Sequence, residues 1–231
     1  MANARQTLEV LARDLERVFG ARLQSLIAYE SLTPESNLHS LAIVDGLTFQ
    51  DLAACLPLAD GWHRRGLEVP LMLSAGELKR TMDIFPLEYA GIIATHTVVR
   101  GRNPFDGMEI PPDDLRRGCE AQAKGHLIHL REAFLESHGE TASIVRLIGA
   151  SAAPFRALLT HIARLTDEEG RASFTDDDLT RFAETRIGIP APVVRDVFAA
   201  VGQSSIADPT ALLARYLEAA QRVWEYVDRW R

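Results

Sequence analysis

The sequence predicts an α/β protein: a small mixed-sheet domain over residues 1–110, then an all-α helical bundle over 111–231. Three observations carry this. Short apolar runs alternate with helix-period segments in the first half. A proline pair, Pro111-Pro112, follows, and such pairs mark boundaries. After it no segment has the period of a strand.

Leu8, Leu11, Leu15 and Val18-Phe19 recur at helical spacing, so residues 3–19 read as an amphipathic helix stopped by Gly20. Residues 24–29 and 38–44 read as strands. Thr48 with Asp51 is a capping-box variant, flanked by Leu47 and Leu52 as a hydrophobic staple, and opens a helix to about Pro57. Leu67 to Leu73 is a third strand, with Pro70 pointing to a sheet edge or bulge. Ser74 and Glu77 cap one further helix in the same way. Thr97 to Arg100 is the last strand, closed by Gly101-Arg-Asn-Pro-Phe105.

Beyond Pro112 the stripe Leu115, Cys119, His126-Leu127, Leu130 and Phe134 marks a helix. Residues 144–148 and 155–165 continue the pattern, with a helix end expected near Ser151. Thr175 to Asp178 caps another helix, with Phe174 and Leu179 as staple. Asp208 and Pro209 start the last one as N-cap and N1. Its stripe includes Tyr216, Ala220 and Trp224. The total is five or six helices.

Composition narrows the function. The 231 residues are 47% hydrophobic and 25% charged, ordinary for a globular chain. The net charge is −7, and neither part is basic: ten basic against fourteen acidic residues up to position 110, then fifteen against eighteen. That argues against a nucleic-acid partner. Arginine outnumbers lysine 23 to 2, the mark of a GC-rich genome and not of phosphate binding. Cys55 and Cys119 stand in no metal spacing and read as reduced, partly buried thiols of a cytoplasmic protein. No signal peptide and no apolar run near a membrane span are expected.

The stretch Leu26 to Val44 carries the chemistry. An apolar strand runs into Glu30-Ser31, a short loop follows, and a second strand opens with Asn37-Leu38-His39. This resembles the nucleotidyltransferase superfamily, where the first strand runs into Gly-Ser and the second carries Asp-x-Asp. Asp83 to Tyr89, Thr97 to Phe105, Cys119-Glu120 and His126 to Arg131 extend the likeness to nearly the whole chain. They match a two-domain bacterial group with a kanamycin-nucleotidyltransferase-like helical domain. Ser31 is the only identity in the two motifs.

The departures have physical content. Residues two apart on a strand share a face, so Asp-x-Asp aims two carboxylates at one spot and holds divalent cations. Asn37 and His39 keep the spacing but bring no negative charge, and imidazole suits zinc rather than magnesium. Glycine lets backbone approach a phosphate. A glutamate about 4 Å from one would repel it by about 4 kcal/mol at an effective dielectric of about 20. The resemblance puts the family's third carboxylate at Glu68, which reads more readily as a solvent-facing strand residue.

The resemblance therefore implies the fold and speaks against the reaction. The expectation is a degenerate nucleotidyltransferase-like binding or regulatory module with no catalytic residue and no metal. Ser31, Asn37, His39 and Glu68 stand as positional equivalents of the family site. Its partner would be a nucleotide or small molecule in the sheet crevice, with a homodimer left open and no membrane. Two alternatives remain. One is an active enzyme with Mg and a nucleoside triphosphate, using Glu68 and Glu35. The other is a pure interaction scaffold.

Other constellations carry less. Arg131 with His138 and Arg156 with His161 fit a ribonuclease spacing, but about two such pairs arise by chance. Gly149-Ala-Ser151 lacks the strand a nucleophile elbow requires. His126 and His129 could share a metal, though a core hydrogen bond suits His126 better. Tyr226 and Trp230, if exposed, would favour dimerisation.

Overall fold

In the computed structural model the chain divides into two compact units, Met1–Pro111 and Pro112–Arg231. The structure describes residues 2–30, 37–167 and 173–230. Ser31 and Glu35 therefore lie outside the described residues.

The first unit runs α1 (Ala2–Phe19), β1 (Leu23–Tyr29), β2 (His39–Val44), α2 (Phe49–His63), β3 (Leu71–Leu73), α3 (Ala75–Thr81), α4 (Pro86–Thr95) and β4 (Thr97–Gly101). The four strands lie in the order β3-β2-β1-β4; β1 is antiparallel to β2 and β4, and β3 runs parallel to β2. Alternation along the strands builds two cores. Leu26, Ala42 and Val44 face Leu11, Leu15, Cys55 and Trp62 of α1 and α2. Ile27, Leu41 and Ile43 face Leu78 of α3, Tyr89 and Ile92 of α4, and Phe105.

Two junctions fix this unit. Asp51 accepts from the Thr48 backbone in a full capping box and pairs with Arg22, which also donates to the Gly46 carbonyl. The Trp62 indole donates to Asp14, tying α2 to α1 at 3.1 Å.

Several boundaries differ from expectation. β3 is three residues long, not seven. Pro70 lacks the N–H that would continue the ladder, and Leu67 keeps only an isolated bridge to Leu38. α2 runs through Pro57 to His63. The proline removes the bond to Ala53, which lies on the exposed side where water can solvate its carbonyl. A second helix, α4, stands between β3 and β4, with Pro86 in the first turn where a missing N–H costs nothing.

The second unit runs α5 (Pro112–Glu136), α6 (Thr141–Thr166), α7 (Asp176–Phe182), a π turn at Ala183–Ile187, α8 (Ala191–Ala199) and α9 (Pro209–Asp228). The expected break near Ser151 is absent: α6 continues through Gly149 and Pro154. Ala150, whose carbonyl loses its donor, is exposed, and the Tyr216 hydroxyl donates to the Ser151 carbonyl at 3.1 Å. By length and composition α6 is also apolar enough to cross a membrane, contrary to expectation. Here its apolar side, from Ile144 to Ala163, is buried.

His126, stacked on Phe155, bonds the same tyrosine hydroxyl through Nε2 at 2.8 Å. Trp224 is half-buried beneath the Lys124 ammonium, and Tyr226 packs edge-on to Trp230 and Phe182. Tyr226 and Trp230 are thus half-buried and not an exposed pair.

Candidate functional site

The site stands at the end of β2, on the α3–α4 side of the sheet. Asn37 and His39 share the face of Leu41 and Ile43. The Leu38 N–H donates to the Gly66 carbonyl at 2.7 Å, and the Glu68 N–H donates to the Leu38 carbonyl at 3.0 Å. These two bonds set the segment after α2 alongside β2. Gly66 makes the turn possible: its φ is +73°.

The register brings two of the expected residues together. The Asn37 amide donates to Glu68 Oε1 at 2.5 Å. On the other carboxylate oxygen, His63 Nε2 of α2 stands 3.9 Å away, with both side chains partly exposed. His39 sits opposite Tyr29 in the β1–β2 register, and the two rings lie 5.8 Å apart. Burial raises the Tyr29 phenol, with a further push from the Tyr89 phenol. Tyr89 in turn shares a 2.8 Å hydrogen bond with Thr81.

Glu30 leaves the strand toward solvent, its backbone N–H donating to Thr95 at 3.2 Å. The structure thus joins Asn37 to Glu68 and sets His39 against Tyr29. His63, Tyr29 and Tyr89 were not foreseen. His63 escaped notice because the helix was expected to stop near Pro57, six residues too early to place it.

Among the described residues here, Asn37, His39 and Glu68 bring a single carboxylate. Magnesium is held by carboxylates and substrate phosphates in octahedral geometry. Asn37 and Glu68 supply one carboxylate, and an amide already occupies one of its oxygens. Among the described residues, no three His, Cys, Asp or Glu side chains converge as metal ligands. The set suits a different role. A partly exposed carboxylate between an amide and an imidazole accepts hydrogen bonds from a ligand's hydroxyl or ammonium groups.

The remaining candidates fall into structural roles. His129 is exposed and bonds Glu132, whereas His126 bonds Tyr216. Arg131 donates to Gln221, Arg156 donates to Asp176, and His161 Nδ1 bonds Gln122 at 3.0 Å. Asp178 closes the capping box of α7.

The sheet with its inserted crossover helix, followed by a helical region, is the nucleotidyltransferase fold of the kanamycin-nucleotidyltransferase type. Among solved structures it is similar to spectinomycin adenyltransferase AAD(9) from Enterococcus faecialis, determined with ATP and spectinomycin. That likeness has a TM-score of 0.57 and 12% identity, and spans 94% of this chain and 98% of that one. No family model matches the sequence, and no curated protein does.

Proposed function

We propose that this chain uses the nucleotidyltransferase fold without two-metal transfer, as a binding or regulatory module whose small-molecule ligand enters the crevice beside Asn37, His39 and Glu68. The observation that carries this is the 2.5 Å bond from Asn37 to Glu68. The family's metal site depends on carboxylates left open to cations. Here an amide stands beside the carboxylate and engages it. The similar adenyltransferase was determined with ATP and spectinomycin, which makes a nucleotide a natural ligand class to test. Ser31 belongs to this proposal as a hydrogen-bond donor by position. Two buried free thiols, Cys55 and Cys119, fit a reducing compartment such as the cytoplasm.

The test is calorimetric titration with ATP, GTP, CTP and UTP, each with and without Mg²⁺, beside an assay for nucleotide transfer to small hydroxylated or aminated acceptors. The expected outcome is no transfer, and any nucleotide binding independent of the metal. Mg-dependent transfer to any acceptor would overturn the reading.

A further inference from the structure

α2 is apolar almost all round. Of its 15 residues only Asp51, Asp60 and His63 can carry charge, and Asp51 turns inward to Arg22. A helix of this composition is ordinarily covered on every side. Here Cys55 and Trp62 face the core, yet the outer side is bare. Phe49 is 77% exposed, Leu52 44% and Leu56 72%. Ala53 and Pro57 are exposed too and complete the spacing i, i+3, i+4, i+7, i+8, a continuous stripe on one side.

We infer that this stripe is a dimer surface, and that its occupant is α2 of a second copy of this chain, packed antiparallel about Ala53. Three features favour a second copy. The stripe has no charge from Phe49 to Ala59 apart from the inward Asp51, so it offers nothing for a charged partner to read. Small Ala53 at the centre lets two helices approach, with Phe49 of one copy set against Pro57 of the other. The exposed Asp60 then comes beside the other copy's α2 N-terminus, the end of a helix that favours negative charge.

Area sets the strength. The five side chains offer roughly 500 Å² of apolar surface, and a two-fold contact uses it twice, roughly 1,000 Å² in all, the lower bound for a specific interface. Pairing also draws water from the Ala53 carbonyl that Pro57 leaves without a donor, a cost that sets against the small area, so the dimer is reversible, with dissociation in the micromolar range. The stripe stops at Pro57, six residues before His63, the α2 side chain that borders Glu68.

Sedimentation equilibrium of the full chain from low to high micromolar concentration tests this. The expected result is a reversible monomer–dimer equilibrium, weakened at least about tenfold by Phe49→Glu or Leu56→Glu. Leu135→Glu, at an exposed position in the second unit, should leave it unchanged. Circular dichroism checks that each variant folds. Oxidation of Ala53→Cys should give a covalent dimer. A monomer at all concentrations overturns the inference. So does a dimer indifferent to Phe49 and Leu56, a dimer that Ala53→Cys fails to cross-link, or stripe-dependent binding of monomer to phosphatidylcholine vesicles.

Discussion

At position 37 an aspartate would alter one atom group and one charge. The Asn37 amide now donates to Glu68 at 2.5 Å. A carboxylate in its place would set two negative groups at that separation, raising the pKa of one. A divalent cation would relieve the repulsion, and His39→Asp would add a third oxygen donor on the same face. The double variant Asn37→Asp/His39→Asp should therefore be stabilised by Mg²⁺ in thermal melts, whereas the native chain should show no such shift. Without Mg²⁺, Asn37→Asp alone should cost about 1–3 kcal/mol, the loss of a charge-assisted bond. Identical melts with and without Mg²⁺ in the double variant would show that more than these two ligands had been lost. The individual positions were legible in the sequence, because i, i+2 spacing on a strand fixes their face. Their partnership was not. Asn37 and Glu68 lie 31 residues apart, and only the Leu38–Gly66 register, set by where α2 ends, brings them together.

At the scale of the element, local chemistry was the readable part. The capping boxes at Thr48, Ser74 and Thr175 all formed, because each is decided by four consecutive residues. Prolines misled. One helix was expected to stop at about Pro57 and another near Ser151, yet both run on through a proline, Pro57 and Pro154, and in each case the residue whose carbonyl loses its partner is exposed to water. That depends on which way a helix faces, which short-range reading cannot supply. One glycine fixes the sheet more tightly than any sequence rule showed. Gly101 ends β4 with φ +75°, and a Cβ there would lie 2.0 Å from the Gln24 carbonyl oxygen on β1. Both objects are backbone, so neither yields cheaply. Gly101→Ala should lower unfolding free energy by at least about 3 kcal/mol in urea titration. Gly107→Ala, also at positive φ but with no heavy atom within 4 Å, separates the two causes. It should cost only the backbone strain, about 1 kcal/mol. Equal losses would show that φ alone matters at Gly101.

For the molecule as a whole, the two units place their titrating groups differently, and this sets how stability responds to acid. The described histidines held as neutral core groups are in the helical unit. Burial pushes His126 down to about 4, aided by His129 nearby, and pushes His161 down to about 4, aided by Arg164. Their unfolded value is near 6.5. A depressed histidine stabilises the fold fully above the unfolded value, because there both states are neutral. As pH falls from about 6.5 toward 4, the unfolded chain takes up protons that the fold refuses, and stability declines. The carboxylates of Glu9 and Glu77 are lowered by Arg100 and by the Ser74 cap respectively, so their contribution is lost only below their ordinary value of 4.5. The interval between pH 6.5 and 5 therefore reports on the histidines. Unfolding free energy from urea titrations should fall through that interval and lose up to about 3 kcal/mol per histidine by pH 4. His126→Phe should remove about half of the slope, even though it lowers stability at pH 7 by leaving the Tyr216 hydroxyl with one partner fewer. A slope unchanged in that variant would mean that the imidazole gains its proton without opening the Phe155–Tyr216 core, and that the acid response of the bundle lies elsewhere.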